Sequence, residues 1–419
     1  MKQRLRVLFL PAWYPSEDEP VRGTFVREHA RAASIYNDIT VLYAYGDSVP
    51  SLKLFRIGEE KYHGIRTITI RYGGFLSWFW RRLRLNEQRS QASWNVLSKK
   101  SITNILKLLE TPKTVISDLL FYAALFLGFH KLLIEGYRPD IIHAHVFTAG
   151  VPAVLLGKLY KMPVVITEHW SIFPLHSLGW LDRVKARFAM NKAAVLISVS
   201  NALKEAIEYY GIRNDSQLVP NVADIKTFYP SNFQDERVNS IKEILIVAAL
   251  RPIKGIPYLL EALSKIKSRR NDFLLEVVGD GVCRKEYEQL AKDLGLHEEV
   301  TFHGLKGKDQ VAEFVRHCDF FVLPSIWDNM PTVLAEALAS GKPVVGSDIG
   351  GIREVISRDV GILVPPKDID GLGQAIEFML DNYADYSQRK IVEYAKDKFS
   401  YEAVGQLLDK VYRNIKGAR

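Results

Sequence analysis

Cysteine is scarce in this sequence, with only Cys283 and Cys318 among 419 residues. Two cysteines supply no disulfide framework of the kind that holds small secreted domains together, and a reducing cytoplasm fits this composition. Neither residue has histidines or further cysteines near it at the spacing of a zinc site. We therefore expect both thiols to be buried in apolar packing.

Long hydrophobic runs are also missing. The N-terminal MKQRLRVLFLPAWYP has four apolar residues in a row before its first proline, too few for the apolar region of a secretory signal. The most apolar stretch elsewhere, Leu119–Phe129, is well short of the ~20 residues that cross a bilayer. We expect this stretch to be a core helix and the chain to have no transmembrane segment.

Two motifs of other enzyme classes are absent or unconvincing. No GxGxxG follows the first predicted strand, Arg6–Leu10, which argues against a nicotinamide-dependent dehydrogenase. The AspIleAsp at Asp368–Asp370 has the spacing of a metal-binding DxD motif. It precedes a predicted helix, however, so an N-cap with an acidic first turn is the better interpretation.

The sequence is long enough for two domains and globular in composition, with 47% hydrophobic and 25% charged residues. Apolar strand patterns alternate with helical patterns in both halves. This alternation predicts an α/β fold of two Rossmann-like, doubly wound domains that face a cleft. The polar segment Tyr229–Lys242 lacks periodic apolar residues and is predicted to link them. The predicted helix of 75–133 has a break at Thr111-Pro112, and Phe399–Tyr412 predicts a closing helix.

The net charge of +8 is unevenly spread. Residues 75–113 carry eight basic side chains against two acidic ones, together with Trp78, Trp80 and Trp94. Basic residues interleaved with aromatics favour an anionic membrane surface. A solvated helix face with a helix–helix seam is an equally good interpretation. No nucleic-acid-binding motif accompanies the segment, so we expect no nucleic-acid partner.

The stretch 322–341, VLPSIWDNMPTVLAEALASG, carries the most chemistry. Leu323-Pro324-Ser325 ends a strand, Pro331 suits the first turn of a helix, and Gly341 is placed to end that helix. Free N–H groups at such a strand–loop–helix corner bind phosphate well. Two carboxylates, Asp328 in the loop and Glu336 on the helix, bracket this corner.

A loop acid, seven residues and a helical Glu, after LeuProSer and before AlaLeuAlaSerGly, resembles the ExxxxxxxE motif of the family 4 retaining glycosyltransferases, which have the GT-B fold. The resemblance implies that Glu336 holds the ribose of a sugar nucleotide. It also implies that Asp328 and the amides at Asn329 and Met330 hold the sugar. Asp328 is a methylene shorter than the Glu of the family, which leaves the identity of the donor open.

Other family-like motifs follow in order. Lys254, in a loop after a strand, matches the family's diphosphate-binding lysine. The family's usual arginine position, five residues before this lysine, is Ala249; either Arg251, two residues further on, takes over, or the phosphate site has one cation fewer. GlyAspGly, with Gly279, matches a turn where backbone approaches the ligand, and Asp280 is expected to order this turn.

The first half carries two further matches. Gly23, in the first loop, matches the glycine that faces the donor phosphates. His145, at the end of AspIleIleHisAlaHis, matches the histidine beside the transferred sugar. For His143 and His169 a hydrogen-bonded interior or rim position is at least as good an interpretation. Glu168 is a weak candidate for a general base.

The resemblance also implies the domain limits and the reaction. ProAsnValAla resembles the hinge of the family, with Val222 in the place of its glycine, so we expect domains at 1–222 and 223–395. Residues 396–419 then form a helix that packs back on the first domain. His145, Asp328 and Glu336 are the expected catalytic group; Gly23, Arg251, Lys254, Gly279, Asn329, Met330 and Glu336 are the expected donor-binding group.

The implied activity is retaining transfer of a hexose from a nucleoside diphosphate sugar to a hydroxyl of a glycan or lipid-linked glycan, with no cofactor and no metal. Surface polysaccharide synthesis, in the cytoplasm or at the inner face of the plasma membrane, is the expected setting. Two alternatives stay open. One is a nucleotide-sugar 2-epimerase; the other is a non-catalytic nucleotide-sugar-binding partner protein, favoured by Asp328, Ala249 and Val222.

Overall fold

The computed structural model describes residues 3–46, 52–74, 99–231 and 241–417, except for the side chains of 99–113. Two sheets, each covered by helices, confirm the predicted α/β architecture. The first sheet has the strand order β3-β4-β2-β1-β5-β6-β7-β8 and is parallel except for β3. Its strands are β1 (Arg6–Pro11), β2 (Asp38–Gly46), β3 (Phe55–Tyr62), β4 (Ile65–Tyr72), β5 (Ile141–His145), β6 (Val164–Glu168), β7 (Val195–Ser198) and β8 (Ser216–Leu218).

The second sheet is parallel throughout, in the order β11-β10-β9-β12-β13-β14. Its strands are β9 (Lys242–Val247), β10 (Phe273–Val278), β11 (Val300–Gly304), β12 (Phe320–Leu323), β13 (Val344–Ser347) and β14 (Gly361–Val364). In each sheet the chain order reverses next to the first strand of that half. Ligands of open α/β sheets bind at such a switch point, beyond the carboxyl ends of the strands.

Helices connect most of the strands. In the first half they are α1 (Thr24–Tyr36), α2 (Lys99–Ile134), α3 (Phe147–Tyr160), α4 (Trp180–Lys192) and α5 (Asn201–Tyr209). In the second half they are α6 (Ile256–Lys267), α7 (Arg284–Asp293), α8 (Lys308–His317), α9 (Thr332–Ala339), α10 (Gly350–Val355), α11 (Ile369–Asn382), α12 (Gln388–Phe399) and α13 (Tyr401–Gly417).

The buried strands are apolar because both faces of each sheet are covered. Strand β5 is buried at all five positions, and β12 at all four. Cys283 and Cys318 are both buried and free, as the sequence predicts. The Asp368 side chain accepts the N–H of Gly371 and caps α11, which confirms the N-cap interpretation of AspIleAsp.

Helix α2 corrects one prediction. It runs without a break through Thr111-Pro112. A proline inside a helix removes one hydrogen bond, and the turns on either side maintain the rest. Its portion Thr114–Ile134, with a mean hydropathy of 1.5, is long and apolar enough to cross a membrane by length and composition alone. Phe121, Leu125 and Phe129 are buried in the core of the first half, whereas Leu119 and Leu127 are exposed, so the prediction of a core helix holds for one face of α2.

The structure differs from the sequence-based predictions at one strand and at the closing segment, and two predicted segments lie partly outside the described residues. Strand β3 forms an antiparallel edge that the sequence did not predict. The closing segment is two helices, since α12 ends at Phe399 and α13 starts at Tyr401. Of the basic aromatic segment, 75–98 lie outside the described residues, as do 232–240 of the predicted linker.

Helix α13 packs on the first half of the chain. A Cβ atom on Gly405 would lie 2.3 Å from the Ala32 carbonyl oxygen of α1, so the two helix backbones are in close contact. Asn37 Nδ2 donates to Asp409 at 3.2 Å, and Lys416 pairs with Asp140 at 3.0 Å.

Candidate active site

The loop between β12 and α9 is held by backbone contacts from behind. Helix α9 begins at Thr332 with Pro331 as its N-cap, one residue before the predicted first turn. The Asp328 carbonyl accepts the N–H of Gly351 at 3.1 Å. A Cβ on Gly351 would lie 1.5 Å from the Asn329 carbonyl oxygen, so only glycine allows this approach. The loop is therefore fixed before any ligand arrives.

Lys254 meets this loop from the neighbouring strand. It ends a short 3₁₀ turn, Pro252–Lys254, and Gly255 follows with φ +70°. The Ile326 N–H donates to the Ile253 carbonyl at 2.8 Å, so the two loops are joined. The Lys254 ammonium forms a salt bridge with the Asp328 carboxylate, and both side chains are mostly buried. The structure thus brings together two residues that lie 74 positions apart in the sequence.

The remaining donor-side residues lie around this pair. Arg251 is exposed at the start of the 3₁₀ turn. Gly279 has φ +135°, and a Cβ there would lie 2.0 Å from the Ala248 carbonyl oxygen, so its turn packs on the backbone after β9. Among the described residues, no protein acceptor takes the N–H groups of Asn329 and Met330. These two N–H groups remain available for a ligand.

Glu336 projects from α9, and its residue is half-buried. Burial raises the pKa of its carboxyl group to about 7. The positive charge of Lys308 lowers this pKa, and the negative charges of Glu28 and Asp224 raise it. Glu28 belongs to α1 in the first half and Lys308 to α8 in the second, so both halves of the chain contribute to the field at Glu336.

The donor-side loop also contacts the first half directly. Asn329 Nδ2 donates to the His169 carbonyl at 2.8 Å. The Met330 carbonyl accepts from Asn221 Nδ2 at 2.7 Å. The carboxyl ends of β6 and β12 therefore face each other, and the predicted cleft lies between them.

His145 ends β5 and is fully buried. Its Nδ1 lies 3.0 Å from His169 Nε2, and its ring stacks on His143 at 4.4 Å. Burial lowers the pKa of His145 well below its ordinary value, helped by the neighbouring histidines. The next residue, Val146, has φ +72°, a strained conformation for a β-branched residue. Such strain is concentrated at functional sites.

His143 has partners on both ring nitrogens, Tyr412 at 2.6 Å and Thr167 at 2.7 Å. This is the hydrogen-bonded interior histidine that the sequence favoured. Glu168 accepts the N–H groups of Phe147, His169 and Trp170 at 2.9–3.0 Å. Burial raises its pKa to about 7 despite these bonds. Its carboxyl group holds the loops after β5 and β6, a structural role.

Gly23 is the N-cap of α1, with φ +71°. A Cβ there would lie 2.4 Å from the Trp13 carbonyl carbon, so the first loop folds tightly on itself. Phe25, just inside the helix, places its ring 4.6 Å from that of His169. The first loop therefore borders the histidines. Among the described residues, it forms no hydrogen bond or ion pair with Lys254 or Asp328.

The sequence did not indicate several residues of this region. His29 on α1 lies beside His145 and His169, with ring centroids 5.8 and 5.4 Å away. Lys308 pairs with Asp224 at 2.8 Å and with Glu28 at 3.4 Å. Long sequence separations hide such contacts from any local pattern. One feature of the sequence could have indicated His29: it is a histidine on a buried helix face that is otherwise rich in alanine.

Comparison with known families gives two adjoining matches. The family described as Glycosyl transferases group 1 matches residues 228–398. The family described as Glycosyltransferase Family 4 matches residues 101–227. The boundary between them falls at 227/228, beside the hinge-like segment that contains Asn221.

Individual relatives agree with these matches. A glycosyltransferase of Methanocaldococcus jannaschii is 28% identical over 303 residues, which cover 68% of this chain and 77% of that protein. TuaC of Bacillus subtilis, whose name places it in teichuronic acid biosynthesis, is 30% identical over 250 residues, 57% of this chain and 60% of TuaC. The Anabaena protein HepE, crystallised with UDP and glucose, superposes with a TM-score of 0.67 at 18% identity, covering 97% of this chain and 99% of HepE. This superposition shows a shared fold.

Proposed function

Since this chain belongs to the family 4 type of GT-B glycosyltransferases, we propose that it transfers a hexose from a nucleoside diphosphate sugar to a hydroxyl group with retention of anomeric configuration. The observation that carries the proposal is the buried Lys254–Asp328 pair beside the free N–H groups of Asn329 and Met330. A cation and aligned backbone donors at a strand–loop–helix corner suit a diphosphate with an attached sugar.

In the proposed reaction the residues of the site position the substrates and stabilise the charge on the leaving group. Lys254 has three N–H donors, so it can keep Asp328 and also contact the diphosphate as negative charge grows on the leaving group. Asp328 and the two amides hold the sugar, and Glu336 holds the ribose. The acceptor hydroxyl attacks from the face that the diphosphate leaves, near His145. Arg251 at the loop mouth adds a second cation. Lysine and arginine thus take the place of a metal ion.

The donor and acceptor are proposed by class. HepE was crystallised with UDP and glucose, which supports a uridine diphosphate hexose as the first donor to test. The name of TuaC supports a surface glycan or its lipid-linked precursor as the acceptor. Such an acceptor and the basic aromatic segment 75–113 lead us to propose a cytoplasmic enzyme bound at the inner surface of the membrane.

The first experiment is a thermal shift of the purified protein with UDP, GDP, ADP and their common sugars. A nucleotide at ~100 times its dissociation constant stabilises a protein by about 2.7 kcal/mol. We expect a shift with one nucleotide, its loss in Lys254→Ala and its retention in Lys292→Ala, an exposed lysine at the end of α7.

Turnover then separates the alternatives. With a suitable acceptor, Lys254→Ala should lower the rate at least ~100-fold, as loss of a charge-stabilising group does. Near-wild-type turnover in this variant would remove Lys254 from the mechanism. An epimerised donor that accumulates without acceptor would identify an epimerase. Tight nucleotide binding with no transfer to any acceptor would identify a binding protein.

A further inference from the structure

Three histidines from separate elements of the first half meet on the floor of the cleft: His29 on α1, His145 at the end of β5 and His169 just after β6. One nitrogen from each ring lies within 4.8 Å of the other two. His29 and His145 are fully buried, and His169 is half-buried. The reaction proposed above uses only His145, so two of these three rings have no assigned role.

The hydrogen bonds of His29 fix its tautomer. Its Nε2 lies 3.1 Å from the Pro220 carbonyl oxygen, and a carbonyl only accepts, so Nε2 carries the proton. Nδ1 of the neutral ring is then a bare lone pair. It is buried and has no hydrogen-bond partner. Burial lowers the pKa of His29 to about 4, so the ring is neutral at physiological pH.

His145 and His169 are in the same condition. Their facing nitrogens, 3.0 Å apart, share one proton. The opposite nitrogens, His145 Nε2 and His169 Nδ1, are buried and without a partner. An ion held by the facing nitrogens would take the place of the proton that they share, and the outer nitrogens of His145 and His169 would then carry the protons. The buried lone pair that calls for a missing partner is that of His29 Nδ1.

We propose that His29, His145 and His169 form a binding site for one divalent transition metal ion of the zinc type. Neutral imidazoles are the preferred nitrogen ligands of such ions, and three of them with an open fourth position is a common arrangement. The bond from His29 to Pro220 fits as well, because ligating histidines usually donate their other N–H to a carbonyl or carboxylate.

Binding requires one ring to move. Zinc binds imidazole nitrogen at about 2.0–2.1 Å, which places two tetrahedral ligands about 3.3 Å apart. The facing nitrogens, His145 Nδ1 and His169 Nε2, are already this close at 3.0 Å. The His29 nitrogen lies within 4.8 Å of the other two and must approach them. His169 is the only one of the three residues that is not fully buried, so the open position would lie on its side.

This site is separate from the charge stabilisation proposed for the diphosphate, which lysine and arginine supply. A bound ion would hold the His145 ring and occupy the space beside the reacting sugar. We therefore expect zinc to inhibit transfer reversibly, and a chelator to restore it. This consequence rests on the proposed function; the binding itself does not.

The test is direct titration of zinc sulfate into protein without a polyhistidine tag, against a chromogenic zinc chelator. We expect one equivalent of Zn²⁺ to bind to the wild type, and His29→Gln to weaken binding roughly tenfold or more. His297→Gln, which changes an exposed histidine after α7, should bind like the wild type. The far-ultraviolet circular dichroism spectrum and the melting temperature of each variant, measured without ligand, report that it is folded.

An anomalous diffraction map at the zinc edge, from wild-type crystals soaked in zinc, gives the position without any variant. A peak among the three rings supports the site. Stoichiometric binding that His29→Gln leaves unchanged, a peak elsewhere, or no binding by the wild type would each overturn it. None of these measurements uses a donor or an acceptor, so a failed transfer assay leaves the test intact.

Discussion

Glu336 carries a carboxyl group in the donor half whose pKa its surroundings shift into the physiological pH range. Burial raises its pKa from the ordinary 4.5 to about 7. Between these two values the folded protein binds more protons than the unfolded chain. Stability therefore falls as the pH rises through this window, and the deficit is complete above pH 7.

Glu336→Gln should remove this deficit. We expect the variant to be more stable than the wild type at pH 8, by at most about 3 kcal/mol, and no more stable at pH 4.5. Urea unfolding at the two pH values measures the difference. Glu286→Gln, at an exposed position of α7, is the control and should show no such pH dependence. A constant offset between Glu336→Gln and wild type at both pH values would contradict the shifted pKa.

The residues of the donor loop could be predicted from the sequence, but the residues that they contact could not. The strand-ending LeuProSer and the spacing from Asp328 to Glu336 are local patterns, and local backbone preferences enforce them. Lys308 reaches Glu28 across 280 residues. No periodicity encodes a contact of that separation, because it depends on how two finished halves pack.

At the scale of elements, helix α13 is joined to the cleft floor by a chain of hydrogen bonds. The Tyr412 hydroxyl lies 2.6 Å from His143 Nδ1, and the Thr167 hydroxyl lies 2.7 Å from His143 Nε2. The neutral ring donates one of these two hydrogen bonds and accepts the other. The His143 ring in turn stacks on His145. The last helix of the chain therefore positions the predicted catalytic histidine.

Tyr412→Phe should break this chain. The buried His143 nitrogen would lose its hydrogen-bond partner, at a cost of about 1–3 kcal/mol of unfolding free energy. Urea unfolding measures the loss, and turnover should fall with the nucleotide thermal shift unchanged, because His145 lies on the acceptor side. Tyr209→Phe, 70% exposed on α5, is the matched control. Equal stability of Tyr412→Phe and wild type would show that the hydroxyl does not hold the helix.

The elements that the sequence missed share a physical cause. Strand β3 has charged, exposed residues along most of its length, so it lacks the alternation that predicts a half-buried strand. It forms because its backbone pairs with β4 at the edge of the sheet. The helix through Pro112 was missed because a proline usually ends a helix, whereas this one has many turns on either side. Parallel central strands were predictable because burial on both faces makes them uniformly apolar.

At the scale of the whole molecule, the proposed membrane location depends on residues 75–113. Eight basic side chains there, against two acidic ones, should attract an anionic surface. Each basic residue near such a surface contributes about 1 kcal/mol at low salt. We expect co-sedimentation with phosphatidylglycerol vesicles at 50 mM salt, much weaker binding at 500 mM, and none with phosphatidylcholine.

Replacement of Arg81, Arg82 and Arg84 by alanine should weaken this binding roughly 100-fold, because about 3 kcal/mol of attraction is lost. Removing the same number of charges from exposed positions elsewhere gives the control: Lys285, Lys292 and Lys390. Equal effects of the two triple variants would show that net charge alone, and no particular surface, draws the protein to the vesicles.

A cluster of ion-paired side chains joins the two halves. Lys308, at the start of α8, pairs with Asp224 and Glu28 of the first half, and Arg31 pairs with the same two carboxylates. Burial alone would raise the pKa of Asp224, but Lys308 and Arg31 hold it well below its ordinary value. A lowered pKa adds stability above about pH 4 and loses it as the pH falls further.

Lys308→Met should therefore be destabilised by roughly 1–3 kcal/mol at pH 7, at the lower end for a broken ion pair because Lys308 is partly exposed. The difference from wild type should persist down to about pH 4.5 and shrink below it, as Asp224 becomes protonated in both states. Urea unfolding at pH 7, 4.5 and 3.5 measures this course. Lys306→Met, in the loop two residues before Lys308, should leave stability unchanged. If the stability of Lys308→Met instead fell further below that of the wild type as the pH decreased, Asp224 would not be the carboxylate that Lys308 holds ionised.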